Sequence, residues 1–364
     1  MPNKGVLWFR LRALIAYHEK YRQYDLGPGH PYRGDRFVNA MRLFQEKGLF
    51  EREGVELLRP EPATEEDLLT VHDEEYVRLI FRLSERGIPY DMETPCSPTI
   101  LEAALLITGG SLAICDAVYE GRADRGVAIG GGFHHAGRNY GGGFCLFNDV
   151  AILVERARRH GAKRIMVIDH DVHAGNGTSD IYYSDPDVLY VGLHQDPRTL
   201  YPGRGFVEEI GEGDGRGFNV NIPLPPGTDD QSYLYALNEI VPPLAREFKP
   251  DFIISNGGSD PHFADMLGNL QITAKGFHKI TNTIAKLAEE LCNGRYILMP
   301  GSGYNPQVLP ICWYALTAGA LGISDVDIKD PTTPPPTKPW IREEVQKIVD
   351  RLKKLLSPYW NCFK

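Results

Sequence analysis

The sequence predicts an α/β protein: a single domain on a mostly parallel, multi-stranded sheet flanked by helices on both faces. Two observations carry this expectation. From residue 127 onward, short apolar runs alternate with longer segments of helical periodicity, and strands separated by helices build parallel sheets covered on both sides. No internal repeat and no shift of composition interrupts the chain before residue 325, so residues 1–325 are read as one domain. Residues 326–364 are read as a proline-rich connector and a C-terminal helix packed on that domain.

In chain order, residues 11–17 are expected to form a first strand and the Gly- and Pro-rich stretch 24–36 a loop. Phe37, Met41 and Phe44 then recur at helical spacing. Leu57-Leu58 before Pro60 reads as an edge strand. Thr64, followed by Glu65, Glu66 and Asp67, suits a helix start, and Asp73 begins another helix through Leu83. Residues 98–119 read as a long buried helix whose Gly109-Gly110 permits close packing. Strands follow at 127–129, 165–168, 188–193, 220–222, 252–254 and 296–299, with helices at 149–160, 230–248, 274–292 and 311–321. Pro242-Pro243 is expected to break the 230–248 helix. The proline-rich stretch 331–339 reads as a rigid connector to an amphipathic helix at 343–356.

Of the 364 residues, 42% are hydrophobic and 24% charged, ordinary proportions for a globular protein with a sizeable core. The formal charge of −9 argues against phosphate-backbone binding, so no direct nucleic-acid binding is expected. None of the six cysteines lies in a C-x-x-C pair. They read as buried reduced thiols in a reducing compartment rather than as a zinc ribbon. Lys4 and Arg10 accompany no uninterrupted apolar region of signal-peptide type, and no apolar run approaches the ~20 residues that span a bilayer. The expected location is cytoplasmic, without a membrane.

Chemistry converges on the strand ends, where open α/β sheets bind ligands. Strand 127–129 runs into Gly130-Gly131-Gly132-Phe133-His134-His135, strand 252–254 into Ser255-Asn256-Gly257-Gly258-Ser259-Asp260, and strand 296–299 into Gly301-Ser302-Gly303-Tyr304. Strand 165–168 ends in Asp169-His170-Asp171-Val172-His173, where residues two apart point the same way. Buried carboxylates beside an imidazole need a compensating cation. Asp171, His173 and Asp260 are the expected ligands. Without a thiolate they suit Zn²⁺, with Fe²⁺, Mn²⁺ and Co²⁺ as alternatives, and three ligands leave a position for water and substrate. His134 and His135 supply acid–base groups, and Asp169 is placed to orient one of them. Gly211-x-Gly213-x-Gly215-x-Gly217 follows no strand and opens no helix, so it is not a dinucleotide fingerprint; neither a P-loop nor a G-x-S-x-G elbow is present.

These residues carry a resemblance. Gly130-Gly-Gly-Phe-His-His-Ala-Gly, Gly143-Phe-Cys-Leu-Phe-Asn-Asp149, Asp169-His-Asp-Val-His-Ala-Gly-Asn-Gly-Thr178, Asp260-x-His262-x-x-Asp265 with Leu267-Gly268, and Gly301-x-Gly303-Tyr304-Asn305 resemble the histone deacetylase superfamily in motif and order. The likeness covers roughly residues 12–325 and is nearest the class II and bacterial or archaeal members, including acetoin-utilisation proteins and acetylpolyamine amidohydrolases.

The resemblance implies an arginase-like α/β fold and zinc-dependent hydrolysis of N-acyl, chiefly acetyl, amides of lysine side chains or polyamines. It implies one Zn²⁺ per chain on Asp171, His173 and Asp260. It makes His134 the histidine held by Asp169, His135 the general base and then acid with Asn176 as its partner, and Tyr304 the hydrogen-bond donor to the substrate carbonyl. Asp265 supports the site, and Phe144, Tyr201 and Leu267 match the acyl-group tunnel. Asp169, with backbone carbonyls of Asp171, His173 and Leu193, matches a K⁺ site. A homo-oligomer is compatible with the family. Several positions depart from the pattern: Gly192 stands where many members have a K⁺-binding Ser, and Ala174, Pro261, Met266 and Ser302 replace a common His, Ala, Pro and Gly. These last four are expected to shape the pocket wall without touching a ligand, and His262 to line the rim. Two other readings are a binuclear-manganese ureohydrolase and a non-catalytic zinc-holding binder of acyl-lysine or amine. The first lacks its D-A-H-x-D pattern here; the second would be signalled by loss of His135 or Tyr304, and both are present.

Overall fold

The computed structural model describes residues 11–364; Lys4 and Arg10 lie outside the described residues. Strands β1 (Ala13–Ala16), β2 (Val55–Leu58), β3 (Arg125–Ala128), β4 (Ile165–Asp169), β5 (Val188–Gln195), β6 (Asn219–Leu224), β7 (Phe252–Asn256) and β8 (Tyr296–Met299) form one sheet in the order β2-β1-β3-β8-β7-β4-β5-β6. Every pairing is parallel. Strands β3 to β8 are buried at every residue, which is why they read as continuous apolar runs, while β2 is the solvated edge that Leu57-Leu58 suggested.

The helices are α1 (Asp35–Glu46), α2 (Glu65–Leu68), α3 (Glu74–Arg86), α4 (Pro98–Tyr119), α5 (Asp149–Arg159), α6 (Asn176–Tyr182), α7 (Asp230–Phe248), α8 (Ala274–Cys292), α9 (Leu309–Ala320) and α10 (Pro339–Leu356). α4, α5 and α6 pack side by side on one face; α1, α9, α8, α7 and α10 cover the other. Thr64 caps α2 through a reciprocal pair with Asp67. α4 enters closely because Gly109 has no side chain: a Cβ there would lie 1.9 Å from the Glu61 carbonyl oxygen. Contrary to the sequence reading, α4 does have the length and apolarity to cross a bilayer, with a mean hydropathy of 1.6; 72% of that window is buried inside the fold.

Other elements differ from expectation for identifiable reasons. α6 was masked by Gly175 and Gly177. Gly177 is there for contact rather than for a turn, since a Cβ would fall 2.2 Å from the Ala136 carbonyl oxygen. α7 continues through Pro242 and Pro243. A helix-interior proline costs roughly 3 kcal/mol, but Ile240, Val241, Leu244 and Ala245 on either side are buried and hold the helix in place. α10 begins at Pro339, a residue suited to a first helical turn. It buries Ile341, Val345, Val349, Leu352 and Leu356 against α7 and β6. Beyond it, Trp360 donates from Nε1 to the Gly217 carbonyl at 2.7 Å. The C-terminal segment thereby covers the β6 edge, which would otherwise offer unpaired backbone groups. Five cysteines are buried, but Cys362 is exposed.

Candidate active site

The four strands that end in chemically useful residues are neighbours in the sheet, β3-β8-β7-β4. Their loops therefore meet at one place on the rim. Gly132 allows the first loop to turn: its φ is +115°, and a Cβ would lie 2.0 Å from Asn256 Oδ1. Asp149, at the start of α5, accepts from the backbone N–H of Gly132 and Phe133 at 3.0 and 2.7 Å and so holds the segment before His134. Asn148 caps α5 by accepting from Ala151 N–H, and donates to the Ala136 carbonyl at 2.8 Å.

Asp171, His173 and Asp260 are buried, and one ligand atom from each lies within 4.8 Å of the others. His173 Nδ1 is 3.0 Å from Asp171 Oδ1 and 3.2 Å from Asp260 Oδ2. Burial opposes charge on His173, but the two carboxylates overcome it and raise its pKa to about 10. Burial, with Asp171 alongside, pushes Asp260 up. A buried cluster that draws a proton between two carboxylates is a place for positive charge. Its oxygen–nitrogen–oxygen donors fit a borderline divalent cation.

The two adjacent histidines sit in contrasting surroundings. His134 Nδ1 is 2.7 Å from Asp169 Oδ2, and Asp171 lies 3.9 Å from its Nε2. Burial lowers its affinity for a proton, yet Asp169 and Asp171 win and raise its pKa to about 9. His135 is driven well below the ordinary range, by burial first and then by the charges of His134 and His173. Its Nδ1 faces the neutral Asn176 Oδ1 at 2.7 Å. The Asn176 amide is in turn oriented by Tyr140 Oη at 3.4 Å, and that hydroxyl donates to Asp180.

Tyr304 is buried in this cluster, its ring 6.3 Å from His173 and 5.8 Å from Phe144. Asp265 accepts from the Tyr304 N–H at 2.8 Å and from the Leu267 N–H at 2.9 Å, so it braces two site residues through their backbones. Phe144, Tyr201 and Leu267 line an outer cleft of about 590 Å³ that shares His135, His173 and Tyr304 with a narrow inner chamber. The Tyr201 ring lies 5.0 Å from that of His135. Asp169 Oδ1 accepts from Asp171 N–H at 3.2 Å, and the Leu193 carbonyl accepts from Tyr233 Oη at 3.2 Å. Gly192 offers no side-chain oxygen there; a Cβ would sit 3.1 Å from both Tyr190 Oη and His194 Nδ1.

Comparison with known proteins places this rim. A family model described as histone deacetylase domain matches residues 30–320. The chain belongs to the histone deacetylase family. A protein named probable deacetylase from Archaeoglobus fulgidus is 37% identical over 357 residues, 96% of this chain and 99% of that one. Acetoin utilization protein AcuC from Bacillus subtilis is 32% identical over 321 residues, 85% and 82% of the two chains. The crystal structure of the HDA15 HD domain superposes with a TM-score of 0.85 at 26% identity, covering 97% of each chain. Histone deacetylases act on acylated substrates as hydrolases and are generally zinc-dependent, in keeping with the acidic–imidazole trio.

Within this deacetylase framework the sequence reading needs two corrections. His262 does not line the rim; it is fully buried, with Nε2 2.8 Å from Asp330 on the connector. Ser302 does touch an expected ligand, with Oγ 2.7 Å from Asp260 Oδ1. Asn148, Asp149, Asn256, Tyr140 and Tyr190 were not singled out, although they hold the catalytic-type residues. Asn256 Nδ2 lies 3.0 Å from His134 Nδ1, and Tyr190 donates to Asp169 at 3.2 Å. Asn148 and Asp149 were within reach, since both belong to the quoted Phe-Asn-Asp motif at the start of an expected helix.

Proposed function

We propose that the protein is a zinc-dependent deacylase that removes a short acyl group, chiefly acetyl, from the amine of a lysine side chain or a polyamine. The observation that carries this reading is the pairing of a buried Asp171–His173–Asp260 cluster with two histidines of opposite proton affinity beneath an aromatic-walled cleft. Zinc held by those three side chains supplies Lewis acidity toward the acyl carbonyl and the attacking water.

The remaining chemistry belongs to the chain's own groups. His135, neutral and with Nδ1–H directed to Asn176, offers Nε2 as the base that takes a proton from the attacking water. It then returns that proton to the nitrogen of the departing amine. His134, paired with Asp169, stays protonated and donates beside the attack. Burial pushes the Tyr304 phenol well above its ordinary range, so the hydroxyl keeps its proton and donates to the carbonyl oxygen as negative charge grows there. Phe144, Tyr201 and Leu267 orient the acyl chain. Asp169 and the carbonyls of Asp171, His173 and Leu193 would be the groups to hold a potassium ion in this reading, and Gly192 would add no side-chain oxygen to them.

The test is turnover of an acetyllysine peptide against acetylated putrescine and spermidine by the zinc-loaded protein and by Tyr304→Phe. Loss of the phenol is expected to lower kcat by about 10²–10³-fold with little change in melting temperature. Turnover of none of these substrates, with Tyr304→Phe indistinguishable from wild type, would refute the reading in favour of a binder. Metal content discriminates the remaining alternative: one zinc per chain for the deacylase, two metals for a ureohydrolase.

A further inference from the structure

The β8 loop brings a hydroxyl onto the metal-type cluster. Ser302 Oγ is 2.7 Å from Asp260 Oδ1, whereas Asp260 Oδ2 faces His173 Nδ1 at 3.2 Å. The two oxygens of one fully buried carboxylate therefore have different partners. The Val172 N–H also points at Oδ1, from 3.4 Å. Ser302 cannot drift, because its carbonyl accepts from Ser259 N–H at 3.0 Å and from Trp313 Nε1 at 3.0 Å. Gly258 makes the approach feasible: a Cβ there would lie 2.0 Å from the Ser302 carbonyl oxygen and 2.5 Å from its Oγ. Gly303 turns the chain away at φ +123°.

We propose that Ser302 is a positioning residue that fixes Asp260 so that Oδ2 alone is presented to the metal. The inference rests on the metal-centre reading above. The serine hydroxyl occupies Oδ1, which removes carboxylate rotation and two-oxygen binding as competing arrangements. Ligand orientation then exists before the ion arrives. Groups that hydrogen-bond a metal ligand in this way commonly contribute 10–100-fold in metal affinity.

The experiment measures zinc dissociation constants by chelator competition for the full-length wild type, Ser302→Ala, Ser302→Gly, Ser302→Thr and Asp171→Ala. Visible spectra of the cobalt-loaded forms report coordination, and melting temperatures of the metal-free forms report the fold. Ala and Gly are expected to weaken zinc binding about 10–100-fold and to shift the cobalt bands, with metal-free melting unchanged. Thr, which keeps the hydroxyl, is expected to retain near-wild-type affinity. If Ala and Gly bind zinc as wild type does, Ser302 has no positioning role and the metal centre stands without it. If Thr loses as much as Ala, side-chain shape rather than the hydroxyl is responsible and the proposal falls. If wild type binds no zinc, or Asp171→Ala binds it equally well, the metal-centre reading fails and this inference with it.

Discussion

At position 176 a neutral amide does the work that a carboxylate does for the neighbouring histidine. His134 has Asp169 at 2.7 Å and holds a proton; His135 has Asn176 at the same distance and gives its proton up. A base must be unprotonated to act, so in the proposed role His135 would work above its own pKa. Placing a carboxylate there by Asn176→Asp favours the protonated imidazole and raises that pKa. The acidic limb of the kcat/KM profile is therefore expected to move to higher pH by about one unit or more. A pH–rate profile that does not move would show that His135 is not the group being titrated. Residue-scale reading brought Asp169, Asp171 and His173 together at one strand end, although β4 stops at Asp169 and the other two lie in the bend beyond it. It failed for His262, whose partner Asp330 lies 68 positions away, and for Ser302, whose contact depends on how two loops meet.

Elements are tied to one another through buried polar side chains. His72, just before α3, stands 2.9 Å from the Gly137 carbonyl through Nδ1 and accepts from Asn148 N–H through Nε2 at 2.9 Å. It thereby joins α3, the loop after His135 and the start of α5, and it can do so only when neutral. Burial lowers its pKa from 6.5 to about 4. Between those values the unfolded chain binds a proton that the folded chain refuses. The stabilisation is complete above pH 6.5 and is lost as pH falls toward 4, by about 3 kcal/mol at most. Urea titrations across this range are expected to fall less steeply for His72→Gln than for wild type; equal slopes would remove His72 from the account. The elements themselves were largely legible. α4, α8 and β8 match their expected bounds because apolar periodicity and helix-start residues agree there. α6 and the unbroken α7 were not, because tertiary contact overrode the local signals of Gly175, Gly177, Pro242 and Pro243.

At the scale of the whole molecule, the C-terminal segment behaves as a strip sealing one side of the sheet. Burying the five apolar side chains of α10 is worth on the order of 10 kcal/mol, comparable to the net stability of an ordinary domain. A chain ending at residue 325 is expected to aggregate or to melt at a much lower temperature than the full chain, by calorimetry. Unchanged melting would mean that residues 326–364 are an appendage. The sequence predicted this helix from its amphipathic pattern, but nothing local shows that it shields the β6 edge.

The strand order β3-β8-β7-β4 also has a consequence for how the rim comes into being. Four of the six cluster residues, His134, His135, Asp171 and His173, belong to chain made early; Asp260 and Tyr304 arrive with the last two strands, which must wedge between β3 and β4. Folding to the competent state is thus an insertion rather than an edge addition, and it waits on pairings distant in sequence, which are slow to form. A nascent chain halted before β7 holds two of the three expected ligands beside an open gap in its sheet. Closing that gap and bringing the third expected ligand into place are one event, so a metal ion bound there would favour the finished topology over every partly threaded one.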